Sequence, residues 1–301
     1  MHQQHFRPIL GRWAVSLLLL AALLAGCNSS DDSSSSHSHE ATTVSYTIPV
    51  MAMMGTQTAA CNRDYTGIGS PATTVQLMDI RFYLSSFKLI KAGGGTQAMT
   101  LTASDWQTTQ TVLLDFEDST GECSSNTPEM NTAIRGTAPA GDYIGLQFDL
   151  GVPFNENHTD VASAPAPLDS LDLDWGWTIG RKFMKVEYHV PANTSDAYWP
   201  IHLGSTGCTG DGSTAPAVEC TNPNRPTIVL PTFDPAADTL KVDLAALVSG
   251  SDLTVQNGMM SGCMSFTPDT NCPEVFTNLG LDIDTGVCDD DCADQALFST
   301  M

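Results

Sequence analysis

With 34 acidic residues against 12 basic ones in 301, the chain carries a formal net charge of −22 at neutral pH. A surface of that sign repels phosphate backbones and excludes nucleic acid as a partner, while metal cations and cationic protein patches remain open. Nine Cys place the chain in an oxidising compartment rather than the reducing cytoplasm.

The N-terminus reads as an address. Arg7 and Arg12 precede an apolar run from Ala14 to Leu24, which ends in Leu24-Ala25-Gly26-Cys27. The run is too short to span a bilayer, and small residues before a Cys are the pattern of a bacterial lipoprotein signal. Residues 1–27 are therefore expected to be a signal peptide ending in lipidated Cys27, and Asn28 after it favours the outer membrane. Such a protein is periplasmic and anchored to the membrane through lipid alone. Residues 28–43, rich in Ser and Asp, hold too little apolar surface to repay ordering and are expected to form a disordered tether. His37 and His39 in SHSHE read as solvated linker rather than a metal site. Residues 44–301 remain as a single domain.

Within that domain the dominant signal is period-2 alternation, the mark of strands with one buried face. Strands are expected at Val44–Met51 and at Thr74–Ile90, the latter with a change of phase near Asp79 of the kind a bulge produces. Val112–Phe116 follows. Ile144, Leu146, Phe148 and Leu150 are expected on one face of a strand, as are Met184, Val186, Tyr188 and Val190. Thr227–Leu230 and Thr239–Leu244 complete the set, with one short helical turn at Asp243–Val248. Turn signals such as Gly93-Gly94-Gly95, Ala140-Gly141-Asp142 and Asn222-Pro223-Asn224 separate the strands. The fold class is all-β, an antiparallel β-sandwich with long disulfide-stapled loops.

Assigning Cys27 to the lipid leaves an even set of eight Cys, which in an exported protein implies disulfides. Local spacing suggests Cys208 with Cys220, Cys263 with Cys272 and Cys288 with Cys292. Cys61 with Cys123 follows by elimination. A structural zinc site is disfavoured because no Cys-x2-Cys pair occurs.

The densest chemistry lies between Trp175 and Cys208, in WGWTIGRKF and WPIHLGSTGC. Three of the five Trp, with His189, His202 and a Cys, fall in this span. That combination points to redox metal chemistry, against the plainer reading that indoles and imidazoles pack in a core. His189 alternates with Tyr188 and Val190, so it is expected on the opposite face and solvated. Met51, Met53, Met54, Met259, Met260 and Met264 offer thioethers, but core gap-filling is the commoner use of Met. Gly204-Ser205-Thr206-Gly207 is not a nucleophile elbow, since that turn needs Gly where the chain has Leu203. No nucleophile, base and orienting acid assemble, so no enzyme activity is expected. The acidic groups Asp169, Asp172 and Asp174, and Asp282, Asp284 and Asp289 to Asp291, lack EF-hand spacing. They nonetheless define the rival reading, a calcium-binding surface or adhesion sandwich whose Trp and His are structural.

Several longer stretches resemble a known family. They are AACNRDYTGIG around Cys61, MDIRFYLSSFKLI from Met78, DWQTTQTVLLDFED from Asp105 and GECSSNTPEMNTAIRG around Cys123. GDYIGLQFDLGVPFNENHTD from Gly141, WGWTIGRKFMKVE from Trp175 and IHLGSTGC from Ile201 continue the series, with NRPTIVLPTFDP and SGCMSFTPDTNC further on. Together they resemble the periplasmic copper-binding proteins of the MbnP type, the four-Cys member of a "metallo-mystery pair". The resemblance implies copper held by His158 in NENHTD and His202 in IHLGSTGC. It also implies that a di-haem partner related to cytochrome c peroxidase oxidises Trp175 or Trp177 to kynurenine, with Trp199 as an outside candidate. Neutral imidazoles suit copper, and an aromatic amine made from Trp adds a further donor. No family role is carried onto the tail from Asp282.

Overall fold

Alternating apolar residues draw the chain into strands, and the computed structural model describes residues 42–123, 127–176, 178–209, 217–256, 261–266, 268–288 and 290–301. The signal peptide with Cys27, the tether with His37 and His39, Trp177, Asp289 and the Met259-Met260 pair lie outside them. The main strands are β1 (Thr43–Met54), β2 (Thr73–Lys91), β3 (Thr111–Asp115), β4 (Ala133–Pro139), β5 (Tyr143–Leu150) and β6 (Met184–His189). They continue with β7 (Tyr198–Leu203), β8 (Thr206–Thr209), β9 (Glu219–Asn222), β10 (Thr227–Leu230), β11 (Leu240–Asp243) and β12 (Phe298–Thr300).

One sheet runs β12-β11-β1-β4, with Thr100–Leu101 beyond β4, and the other runs β7-β6-β2-β5-β10, with β3 also paired to β2. Strands β8 and β9 form a separate two-stranded ribbon. Pairing is antiparallel apart from β1 with β11, where Val50 lies opposite Leu240 in a parallel register. The two sheets share one core. Phe148 of β5 meets Phe298 of β12 edge-on at 5.1 Å between ring centroids, and Tyr46 of β1 meets Tyr143 of β5 at 6.3 Å. Ile48, Leu77, Phe82, Val186 and Ile201 are fully buried between the layers, each worth about 1.5–3 kcal/mol by transfer from water.

The long strand β2 carries the expected change of phase. Val75 and Leu77 face the core, and after a register slip opposite Glu187 and Tyr188 the core positions become Ile80, Phe82 and Leu84. A second slip at Ser86, whose φ is 59°, restores the first phase for Phe87 and Leu89. The first slip matters for function, because it sets Asp79 opposite Glu187 and Arg81 opposite Lys185.

Other expectations need correction. Ile144 is 47% exposed instead of joining Leu146, Phe148 and Leu150 in the core. The register shifts beside Gly145, where an added Cβ would stand 2.7 Å from the Leu230 carbonyl oxygen, so Tyr143 faces inward before the shift and Leu146, Phe148 and Leu150 after it. Strand β1 begins at Thr43, inside the stretch read as tether, and runs on to Met54. Strand β4 carries little apolar alternation, with Ile134 its one large apolar residue. Gly136 lies so close to Thr100 that a Cβ there would meet its carbonyl oxygen at 2.8 Å. The short helical turn forms at Leu244–Leu247, capped by Asp243 Oδ1, which accepts from the Ala245 and Ala246 N–H groups. A further helix, Pro273–Asn278, starts directly after Cys272 with Pro in its first turn.

Four disulfides form: Cys208–Cys220, Cys263–Cys272 and Cys288–Cys292, as local spacing suggests, and Cys61–Cys123, the pair left by elimination. The last helps hold the tail, whose strand β12 pairs with β11 and so belongs to the sandwich.

Candidate metal centre

Alternation along β7 puts Trp199, Ile201 and Leu203 in the core and turns His202 to the outer face of its sheet. There it joins Lys185 and Glu187 of β6 and Asp79 and Arg81 of β2. His202 is 7% and Glu187 8% exposed, so this face is covered too. A carboxylate can only accept, so His202 donates its Nε2 proton to Glu187 Oε1, at 2.7 Å. The Tyr198 hydroxyl donates to the same oxygen at 2.6 Å. Burial works to raise the pKa of Glu187, but the hydrogen bonds from His202 and Tyr198 and the Lys185 charge hold it below the usual carboxylate range. Burial, with the Lys182 and Lys185 charges, pulls His202 below its ordinary value despite the Glu187 bond. The imidazole is therefore neutral at physiological pH, with its lone pair on Nδ1. That is the state and the atom a metal needs.

Behind this pair stands a buried charge array. Arg81 makes a two-point contact with Asp79 and reaches Glu117 Oε1 at 3.2 Å, while Lys185 also pairs with Asp79. Burial tends to raise Asp79, but Arg81, Glu117 and Lys185 outweigh it and keep the carboxyl ionised. Glu117 moves the other way, pushed up to about 9 by burial and by the neighbouring Asp79 carboxylate. It is thus protonated in the folded protein at neutral pH. The unfolded chain would release that proton near 4.5, so the folded form binds the extra proton from there up to about 9. The stability contribution is full below the lower value and is lost as pH rises towards the upper one, at no more than about 1.4 kcal/mol per pH unit. Glu117→Gln removes the titration, and urea unfolding of the variant is expected to show a flatter alkaline decline than wild type. An unchanged slope would show that another group is responsible.

His158 reaches the region by a different route. It caps the helical turn Phe154–Asn157, with the Phe154 ring 4.6 Å away. Asn157 Oδ1 accepts from the Arg181 backbone N–H at 2.7 Å, so its amide nitrogen faces His158 Nε2 at 3.2 Å and makes that nitrogen the acceptor. The buried Arg181 guanidinium pins the turn by donating to the carbonyls of Glu156, Asn157, Thr159 and Leu168. His158 Nε2 lies 3.4 Å from Cys220 Sγ, and the ligand atoms of His158, Cys208 and Cys220 lie within 4.8 Å of one another. Among the described residues these are the three metal-ligating side chains that lie together. The sulfurs are joined, however, and a disulfide lacks the thiolates that bind metals strongly.

One loop, of which residues 174–176 and 178–181 are described, lies against both histidine-bearing elements. On one side Gly180, with φ +91°, abuts Asn157 so closely that a Cβ would stand 2.4 Å from the amide nitrogen. On the other, Trp175 lies over Gly204, where a Cβ would meet the indole at 2.6 Å, and its ring is 6.3 Å from the His202 ring. Trp175 is half-buried, whereas Trp199 is fully buried and packs on Tyr188 in the core. His189 is half-buried, with Nδ1 2.8 Å from Gln76 Oε1, and so is paired rather than fully solvated. Asp282 Oδ1 accepts from the Thr285 N–H and hydroxyl, and among the described residues neither acidic loop gathers three ligands. Sequence reasoning missed Glu187, Lys185, Asp79, Arg81 and Glu117. The available signal was MKVEYH itself, whose core-facing alternation forces Lys185 and Glu187 to share a face with His189.

Two mainly antiparallel layers stapled by four disulfides, carrying a buried neutral imidazole beside an indole, define a class: disulfide-bonded β-sandwich proteins built to bind a metal. The MbnP family model matches residues 43–265, and the chain belongs to the MbnP family. It is similar to the solved structure of MbnP from Methylosinus trichosporium, with a TM-score of 0.78 and 32% identity over 86% of this chain and 98% of that one. No match is found among curated proteins. Family membership supports a periplasmic copper-binding protein that is not an enzyme.

Proposed function

We propose that this protein is a lipid-anchored periplasmic copper binder in which His158 Nε2 and His202 Nδ1 hold one copper ion beside an oxidised tryptophan. The observation that carries the reading is the loop 174–181, braced against Asn157 next to His158 and carrying Trp175 beside His202. His202 presents an unprotonated Nδ1, copper at His158 Nε2 would displace the hydrogen bond from the Asn157 amide, and two such borderline donors suit copper. Trp175 is favoured for modification because it is partly accessible and adjacent to His202, with Trp177, two residues on, as the second candidate.

An intact indole is a poor ligand because its nitrogen lone pair belongs to the ring. Insertion of two oxygen atoms across the C2–C3 bond, followed by hydrolytic loss of the formyl group as formate, leaves an aryl amine and a ketone. A partner di-haem protein related to cytochrome c peroxidase would catalyse the oxidation, with two equivalents of hydrogen peroxide supplying the two oxygen atoms and leaving as water, and the acidic surface suits a cationic docking patch on it. Peptide mass spectrometry after co-expression with such a partner should find a gain of about 4 Da, the change from Trp to kynurenine, on the Trp175–Trp177 peptide. Copper affinity should rise in parallel. An unmodified peptide with full copper affinity would overturn the proposal, and the same gain on the Trp199 peptide would move the role there.

A further inference from the structure

Cys208 and Cys220 face each other across β8 and β9, and both are half-buried. Each of the other three disulfides has at least one fully buried partner, with Cys123 and Cys272 at 0% exposure and Cys292 at 2%. Cys288 of the fourth bond is half-buried as well, but both partners of Cys61–Cys123 and of Cys263–Cys272 are buried, so a thiol reductant can reach Cys208–Cys220 while the fold protects those two. The bond also stands where a metal donor already points, since His158 Nε2 is 3.4 Å from Cys220 Sγ.

We propose that Cys208–Cys220 is a redox gate: when it is opened, Cys208, Cys220 and His158 form a three-donor copper(I) site. The inference rests on His158 as a copper ligand but is independent of His202. A dithiol reductant attacks one sulfur, its second thiol resolves the mixed disulfide, and two electrons and two protons pass to the protein sulfurs as the reductant becomes a disulfide. Copper(I) then displaces the thiol protons to water and keeps its oxidation state. Two thiolates are the soft donors that favour copper(I), and the imidazole completes a low-coordinate set. Closed, the same cluster offers one nitrogen and two weakly binding sulfurs. The thiol–disulfide state of the compartment thereby sets how tightly the ion is held.

The test uses the mature protein under anaerobic conditions, before and after limited treatment with a phosphine reductant that is then removed. Alkylation mapping identifies the opened bond, and competition with a chromogenic copper(I) chelator reads affinity. Opening Cys208–Cys220 should raise copper(I) affinity by at least about tenfold. The gain should vanish in C208S/C220S, fall in His158→Ala and persist in His202→Ala. Alkylating the two freed thiols of wild type should abolish it equally, which covers a double variant that folds badly. A bond that resists reduction in the native protein, or an affinity unchanged once it is open, would overturn the gate. Loss of the gain with binding to the closed form intact would sink the gate alone. Persistence of the gain when His202→Ala leaves the closed form unaffected would sink only the two-histidine reading.

Discussion

Replacing His202 with Ala is expected to lower the copper affinity of the closed protein by more than the about 10–100-fold that loss of an outer-shell partner costs. The expectation follows from the small number of donors: removing one of two imidazoles takes away a large share of the binding energy. Glu187→Gln is the informative companion. It keeps the shape of the side chain but weakens the charge-assisted hydrogen bond to Nε2–H, so Nδ1 loses basicity while remaining in place. Its effect should fall within the about 10–100-fold range for such partners. His158→Ala should match His202→Ala, and His189→Ala should leave affinity unchanged, because His189 is engaged by Gln76 on another part of the sheet. Competition titration with a copper chelator measures all four. Wild-type affinity in His202→Ala would remove it from the site.

Opening Cys61–Cys123 is expected to give the largest loss of stability. The bond closes a separation of 62 residues, and the chain-entropy account assigns about 4 kcal/mol to a loop of that size. Cys288–Cys292 closes a separation of only 4, for which the same account gives about 2 kcal/mol. Both sulfurs of the longer link are buried, with Cys123 Sγ against the Leu77 carbonyl, so Ser replacements also leave polar groups in an apolar setting. Denaturant unfolding of C61S/C123S against C288S/C292S should show the first as clearly less stable. Equal losses would mean that the unfolded chain is already constrained between residues 61 and 123.

Much of the architecture was legible because it is written locally. Met184, Val186 and Tyr188 announce a buried face by alternation, and the phase change near Asp79 is visible as a break in that alternation. Trp175 and His202 drew attention because they are close in sequence, and they are also close in space. What stayed hidden depends on register between distant segments. Asp79, Arg81, Lys185 and Glu187 look like solvent-facing positions of amphipathic strands. Asp79, Arg81 and Glu187 are buried and Lys185 half-buried because further chain covers the outer face, with Asp172 reaching Arg81 at 3.7 Å, and no periodicity forecasts such a cover. Ile144 misled for a related reason, since a register shift flips every residue on one side of it. The His158–Cys220 approach was equally invisible, because 62 residues separate the two and the turn that aims the imidazole is fixed by Arg181.

The parallel pairing of β1 with β11 bears on how a chain threaded N-terminus first through a membrane would mature. Val50 must wait for Leu240, so one edge of β1 stays open until most of the domain has crossed. Such non-local pairing is slow to form, and an open edge invites association with other chains. The strands of the site-bearing sheet are all delivered by Leu230, although His202 itself waits for Cys263, whose carbonyl accepts its backbone N–H. During emergence, the strands of that sheet are therefore delivered while the opposite layer is still incomplete.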